Sequence, residues 1–266
     1  MNHTTLPLVF GLRFNSKSGP IPAMTCRLYI DCDLAPGSSV ELPADQSHYL
    51  HTVMRLGAGD CVILFNGRAG EYSGTIKTLS KQRATIHLQS FSDIDREMPC
   101  RVHIVQAACR SEKIDSILQK GTELGAASFH IVRSERSSLK LEGGRLNKRL
   151  ERWQKIISEA AEQSERTAMP EINWLDKLTD SPATGLCYAL HPETDTHWSA
   201  EKENIIAAKD ITLAIGPEGG WSPRDIELLA SLGFKSLTFG PRIMRTETAA
   251  PALLAAIQSL IDSQAI

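Results

Sequence analysis

The 266-residue chain is 42% hydrophobic and 23% charged, ordinary globular usage that excludes disorder, collagen and coiled coil. No apolar run approaches the roughly 20 residues of a membrane span. The formal net charge of -2 gives no global attraction to nucleic acid, so such a partner needs a local basic patch.

Residues 1–23 mix Pro, Gly, Ser and Asn without pattern and lack the basic leader of a signal peptide. Met24 stands just before CRLYIDCDL and reads as an alternative start, leaving 1–24 as an unassigned extension. The segments RLYID, CVILFNG, EYSGTIKTL and RATIHLQSF then read as short strands with turns such as Asn66-Gly67, a small β-barrel over 25–92. Within it DQSHYLHTVMRL reads as a helix capped by Asp45, with Leu50, Val53 and Met54 at core spacing. After SDIDREMPC the pattern changes, which puts a domain boundary near residue 93. The strands RVHIVQAA, SFHIVR, GLCYALH, DITLAIG and SLTFG alternate with the helices KIDSILQKGTEL, RLNKRLERWQKIISEAAEQSER, PRDIELLASLG and APALLAAIQSLI. That alternation predicts an α/β domain with a mainly parallel sheet over 93–266. Ligands of such sheets sit at the carboxyl ends of the strands.

Two of those ends are chemically distinctive. In IGPEGGWSPRDIE, strand residue Ile215 runs into Gly216, Pro217, Glu218, Gly219 and Gly220, with Ser222 as helix cap and Pro223 at its first position. Three glycines within five residues admit a ligand against the backbone, in neither a G-x-G-x-x-G nor a Walker arrangement. In FGPRIMRTETAAPALLAAI, Phe239 and Gly240 precede Arg242, Ile243, Met244, Arg245, Thr246, Glu247, Thr248 and Ala249. Ordinary capping by Thr248 accounts for part of this segment, but not for two arginines and a carboxylate, which suit an anionic substrate and a proton acceptor. ALHPETD, with Leu190 and His191, is a weaker third loop, since a lone histidine is more often structural.

From Arg133 to Lys155 there are eight basic residues (Arg133, Arg136, Lys140, Arg145, Lys148, Arg149, Arg152, Lys155) against three acidic ones, an excess of five positive charges. Alone, such a run reads most simply as a solvated helix face. The six cysteines (Cys26, Cys32, Cys61, Cys100, Cys109, Cys187) form no C-x-x-C pair. This argues against a zinc ribbon or disulfide framework and for reduced thiols in a cytoplasmic protein. Cys109 is more simply a buried hydrophobe than a nucleophile. His48 and His51 are three apart but lack a third ligand, and no metal is expected.

The segments I-G-P-E-G-G at 215 to 220, G-P-R-I-M-R-T-E-T-A at 240 to 249 and L-H-P at 190 to 192 resemble the small-subunit ribosomal RNA methyltransferase E family of the SPOUT class. K-x-x-x-x-x-x-K-G-T-E-L-G at 113 to 125, S-E-R-S at 134 to 137 and R-W-x-K-I-x-x-E-A-A-E-Q-S-E-R at 152 to 166 agree, so the resemblance runs from about residue 26 to the C-terminus. It implies a PUA-like RNA-binding β-barrel followed by a trefoil-knotted SPOUT domain, acting as a homodimer without membrane contact. The implied activity is S-adenosyl-L-methionine-dependent methylation of N3 of a uridine in 16S ribosomal RNA within the assembled small subunit. Cofactor contacts would come from Leu190, His191, Ile215, Gly216, Glu218, Gly219, Gly220, Phe239, Gly240, Ile243, Met244, Arg245, Thr246, Thr248 and Ala249. For the chemistry, Arg245, assisted by Arg242, would stabilise charge, and Glu247 or Glu218 would either accept a proton or serve in capping or in pairing with an arginine. His51, Arg55, Arg110, Arg136, Lys140, Arg145, Lys148 and Arg149 would grip RNA. Ala249, Ala250, Ala252, Ala255 and Ala256 would let helices approach closely across a dimer. The rivals are a noncatalytic RNA-binding assembly factor and a methyltransferase of transfer RNA.

Overall fold

The computed structural model describes residues 26–263. The Met24 start and the 1–24 extension lie outside the described residues.

The β-rich start is a five-stranded sheet built from β1 (Cys26–Tyr29), β2 (Ser39–Leu42), β3 (Cys61–Phe65), β4 (Glu71–Leu79) and β5 (Ala84–Ser92), in the order β1-β3-β4-β5-β2. Leu28, Leu50, Val62, Leu64, Ile76, Ile86 and Leu88 close its apolar core. The helix in this unit departs from expectation. α1 (Ala44–His48) has Pro43, not Asp45, at its cap position and passes directly into a π-helical turn over Tyr49–Val53. The wider turn breaks the 3.6-residue spacing, so Leu50 is fully buried while Val53 is 61% exposed. Val53 is therefore not a core residue.

The rest is a six-stranded parallel sheet in the order β11-β9-β10-β6-β7-β8, made by β6 (Arg101–Ala107), β7 (Ala126–Val132), β8 (Glu171–Leu175), β9 (Leu186–Leu190), β10 (Asp210–Ile215) and β11 (Lys235–Leu237). Side chains alternate across it with the period of two that strands impose. Val102, Ile104, Ile211, Leu213 and Ile215 share one core with residues of α2 (Ser111–Glu123), α3 (Gly143–Gln163) and α6 (Thr246–Asp262). Val105, Ala107 and Ala214 lie in a second core with Leu229 of α5 (Pro223–Ser231). A short α4 (Lys202–Ala207) precedes β10. Each fully buried Ile or Leu contributes about 1.5–3 kcal/mol. Trp153, wholly buried on α3, is the bulkiest such side chain.

α6 begins earlier than APALLAAIQSLI suggests. Arg245 occupies its cap position, and Thr248 sits inside the first turn. Thr248 is thus not the cap. Ala249 and Ala250 belong to the chain's own core, which removes them as candidates for contact with another copy.

The two sheets are joined through polar groups at the end of α3. Arg27 of β1, 8% exposed, donates to Glu71 (3.2 Å), to the carbonyls of Ala161 (3.2 Å) and Arg166, and lies 3.7 Å over the Phe65 ring. Arg166 pairs with Glu97 and donates to the carbonyls of Thr122 (3.1 Å) and Ala126 (2.7 Å). Glu162 accepts a 2.8 Å bond from the Tyr29 N–H. Its carboxyl is pushed up to about 7, chiefly by burial, with the Tyr29 N–H opposing and Glu159 adding to the rise. A carboxyl whose folded value is raised favours folding fully below about 4.5 and loses that contribution as pH climbs through about 7. Glu162→Gln keeps the acceptor for Tyr29 without the buried charge. It should therefore stabilise the protein above pH 7 by up to about 3 kcal/mol. In urea unfolding the gain should vanish as pH approaches 4.5; an equal gain at both ends of that range would refute the buried-charge explanation.

Candidate active site

The strand register aligns Ile215 with Gln106, Ala214 with Ala189, and Leu237 with Leu190. Three loops therefore leave the same edge of the sheet: 191–197 after β9, 216–222 after β10 and 238–245 after β11. The second loop is shaped by its own backbone. A Cβ on Gly216 would stand a tight 3.2 Å from the Trp221 nitrogen, and Gly220 takes a φ of +68° that side chains rarely adopt. Ser222 and Asp225 close a reciprocal capping box (3.0 and 3.1 Å), with Pro223 at the first helical position.

Beneath the loops lies Gln106, a polar residue without exposure among the apolar side chains at the end of β6. Its Nε2 donates to Thr246 Oγ1 (2.9 Å) and to the Ala107 carbonyl (3.0 Å), and Thr246 Oγ1 donates to the Gly216 carbonyl (2.7 Å). Central strand, glycine loop and the start of α6 are thereby fixed to one another. The third loop is braced at its other end, where Phe239 packs edge-on against Trp198 at 5.5 Å and the His191 N–H bonds the Leu237 carbonyl (2.9 Å).

Charged groups gather around this frame. Lys113 of α2 lies 3.1 Å from Glu247 and 3.7 Å from Glu218, and the Arg110 N–H donates to Glu218 at 3.2 Å. Partial burial works against ionisation of Glu247. The backbone N–H at its helix start, Lys113 and Arg245 outweigh that effect and hold its carboxyl below the usual range. The buried Cys109 thiol is pushed up to about 12, first by burial and then by Glu218, which leaves almost no thiolate at neutral pH and no nucleophile there.

The structure divides the residues expected to bind. Arg136 donates to the carbonyls of Gly219 (3.0 Å) and Trp221 (3.2 Å), so it braces the glycine loop. The S-E-R-S turn that presents it is closed by Ser134 and Ser137 (2.9 Å). Arg133, Arg152 and Lys155 are paired with Glu142, Asp115 and Glu159. Among the described residues, Lys140, Arg145, Lys148 and Arg149 make no ion pair, nor do Arg110, Arg242 and Arg245, all three exposed. Ile243, between the last two, is 85% exposed. Thr246 and Ala249 are buried, and Thr248 lines a groove with Lys120, Pro251 and Ala252. His51 and Arg55 lie on or just after the π-helical turn of the first sheet, and no hydrogen bond or ion pair among the described residues ties them to the loops. A cleft of about 590 Å³ near Arg96, Met98 and Gln258 is lined by none of the expected site residues. Gln106, Lys113 and Trp221 were not expected. A lone glutamine in HIVQAA, and the lysine that opens the K-x-x-x-x-x-x-K-G-T-E-L-G segment, were the available signals.

A parallel α/β sheet with three loops at one edge, carried beside a β-rich unit, agrees with what is known of other proteins. Residues 96–258 match the RNA methyltransferase domain and 42–89 the RNA methyltransferase PUA domain. The chain is 31% identical to ribosomal RNA small subunit methyltransferase E of Synechocystis, over 97% of this chain and 85% of that protein. It is 30% identical to the protein of that name from Bacillus subtilis, over 81% and 88%. Among solved structures, ribosomal RNA small subunit methyltransferase E from Neisseria gonorrhoeae, bound to S-adenosyl methionine, superposes with a TM-score of 0.81 at 30% identity, over 89% of this chain and 98% of that one. A Legionella pneumophila protein in complex with bound SAM gives 0.83 at 31% identity, with the same coverage. The chain belongs to the RNA methyltransferase family, in the group of ribosomal RNA small subunit methyltransferase E.

The buried link at Thr246 has a measurable consequence. Thr246→Val keeps the shape but removes the hydroxyl between Gln106 and Gly216, leaving them only a long direct contact of 3.4 Å, and should cost about 1–3 kcal/mol in urea unfolding. Amide exchange in the glycine loop should accelerate. Unchanged stability would show that the hydroxyl does not join these elements.

Proposed function

We propose that the protein methylates N3 of a uridine in 16S ribosomal RNA, using S-adenosyl-L-methionine and acting on the small ribosomal subunit. The reading divides the chain into an RNA-gripping unit over 25–92 and a transfer unit over 93–266. The single observation that carries it is the convergence at one end of the sheet of a glycine-rich loop, an ionised carboxylate and arginines that make no ion pair among the described residues.

The loops suit the cofactor. Gly219 has room for a Cβ, whose nearest neighbour would be Arg136 at 3.7 Å, so the fold does not demand glycine there and a ligand pressed to the backbone does. Leu190, Phe239, Ile243 and Met244 provide apolar surface around that backbone. Glu218, His191, Ile215, Gly216, Gly220, Gly240 and Arg245 complete the proposed contacts, while Thr246 and Ala249 support them from inside the core. When bound, the cofactor supplies a methyl group on a positively charged sulfur, which leaves as a neutral thioether as the nitrogen–carbon bond forms.

Uracil N3 carries a proton at neutral pH, and its lone pair becomes available only as that proton leaves. Glu247, kept ionised by its surroundings, is the proposed acceptor. Arg245, with Arg242, stabilises the negative charge that spreads onto the uracil oxygens as the proton departs. Lys140, Arg145, Lys148 and Arg149 meet phosphates and set register without reading sequence, and Arg110, His51 and Arg55 extend that surface. An assembly factor without catalysis would require neither the ionised Glu247 nor unpaired arginines beside the glycine loop.

Grip and chemistry separate by mutation. Arg145→Ala with Arg149→Ala should weaken RNA binding and reduce the salt slope by roughly two ion equivalents, leaving single-turnover methylation at saturation intact. Arg245→Ala should lower that turnover by about a hundredfold while changing RNA affinity much less. Near-normal turnover in Arg245→Ala would remove this arginine from the reaction. Failure of the parent to bind S-adenosyl-L-methionine in a calorimetric titration would favour the assembly-factor reading.

A further inference from the structure

Lys113 stands in the first turn of α2, outside every group of residues expected to touch cofactor or RNA. Its side chain is 22% exposed, and its Nζ faces Glu247 at 3.1 Å and Glu218 at 3.7 Å. Glu218 is held from a second side by the Arg110 N–H. One ammonium therefore joins α2, the glycine loop and the first turn of α6, three elements far apart in the chain. An exposed ion pair contributes at most about 1 kcal/mol, but the consequence of this one is not chiefly stability. Without the cation, Glu247 loses the positive charge in contact with it, and its ionisation becomes less favourable.

We propose that Lys113 is a positioning residue for methyl transfer, fixing Glu247 for proton acceptance while tying the glycine loop to α6. The inference rests on the proposed function, in which Glu247 receives the N3 proton. Among the described residues, the charged and titratable groups around Glu247 are Lys113 and Lys120 of α2, the latter lining the same groove, Glu218 of the glycine loop, Arg245 at its own helix start, and the buried Cys109. Of these, Lys113 is the cation in direct contact with the carboxylate.

The test is the pH profile of single-turnover methyl transfer to small ribosomal subunits, with S-adenosyl-L-methionine and RNA saturating. Lys113→Gln should lower the rate at pH 7 by about tenfold or more. It should also move the acid limb to higher pH, because removing the cation favours protonated Glu247. Lys113→Arg, which reaches both carboxylates, should restore most of the rate. Without cofactor, amide exchange at Gly219 and Gly220 should be faster in Lys113→Gln than in the parent, a readout independent of turnover. A normal rate overturns the proposal, and so does a reduced rate with an unmoved acid limb, which would make Lys113 merely structural. Should Lys113→Gln fail to fold, Lys113→Met, which preserves the packing of the stem, is read in the same way. A parent that transfers no methyl group would count against the proposed function, and amide exchange would then decide the loop tie alone.

Discussion

Gln106 and Thr246 form the constraint on which the site depends. A carboxamide at the carboxyl end of the central strand, wholly buried, donates to a hydroxyl that in turn donates to the first glycine of the loop after β10. Buried polar groups of this kind are costly unless partnered. Here the partners are the elements that must stay in register: β6, the glycine loop and α6. The sheet's parallel pairing brings three loops to one end, and this short chain of hydrogen bonds locks the glycine loop to the start of α6, which Arg245 precedes and which bears Glu247.

Around that frame the cations fall into two groups according to whether the protein already uses them. Arg27 and Arg166 are consumed in joining the two sheets, and Arg136 in bracing the glycine loop. Among the described residues, Arg110, Arg242 and Arg245 carry no ion pair at the loops, nor do Lys140 before α3 and Arg145, Lys148 and Arg149 in its first two turns. A chain of net charge -2 thus holds cationic surface near the loops. Most of its other arginine charge is neutralised internally, which is how a near-neutral protein can still present a surface for phosphates.

Much of this was legible from residue order. Period-two runs bounded by glycine and proline marked the long strands, and the capping signals at Ser222 and Pro223 were correct because they act within one helical turn. What escaped depended on tertiary context. The strands at 171–175 and 39–42 lie at sheet edges with side chains mostly exposed or half-buried, so no run of buried apolar residues marks them in the sequence. The π-helical turn at Tyr49–Val53 exposes a valine that regular spacing would bury. Thr248 resembled a cap because its hydroxyl suits one, but the backbone enters the helix at Thr246. The glycine loops were visible as motifs, whereas Lys113 and Gln106 were not, since their meaning lies in residues more than a hundred positions away. The basic run looked uniform in sequence, and only partner assignments separated Arg136 and Arg152 from Arg145 and Arg149.

Chemical identity of the product is the most direct measurement. Small ribosomal subunits lacking the modification would be incubated with the purified protein and methyl-labelled S-adenosyl-L-methionine, then digested and analysed by nucleoside mass spectrometry with mapping of the labelled position. The proposed carboxylate proton acceptor, beside arginines that make no ion pair among the described residues, predicts label at N3 of uridine, at a single position of the 16S RNA. Label on a ribose oxygen, on another base or only on transfer RNA, or no label in particles that bind the protein, would contradict it.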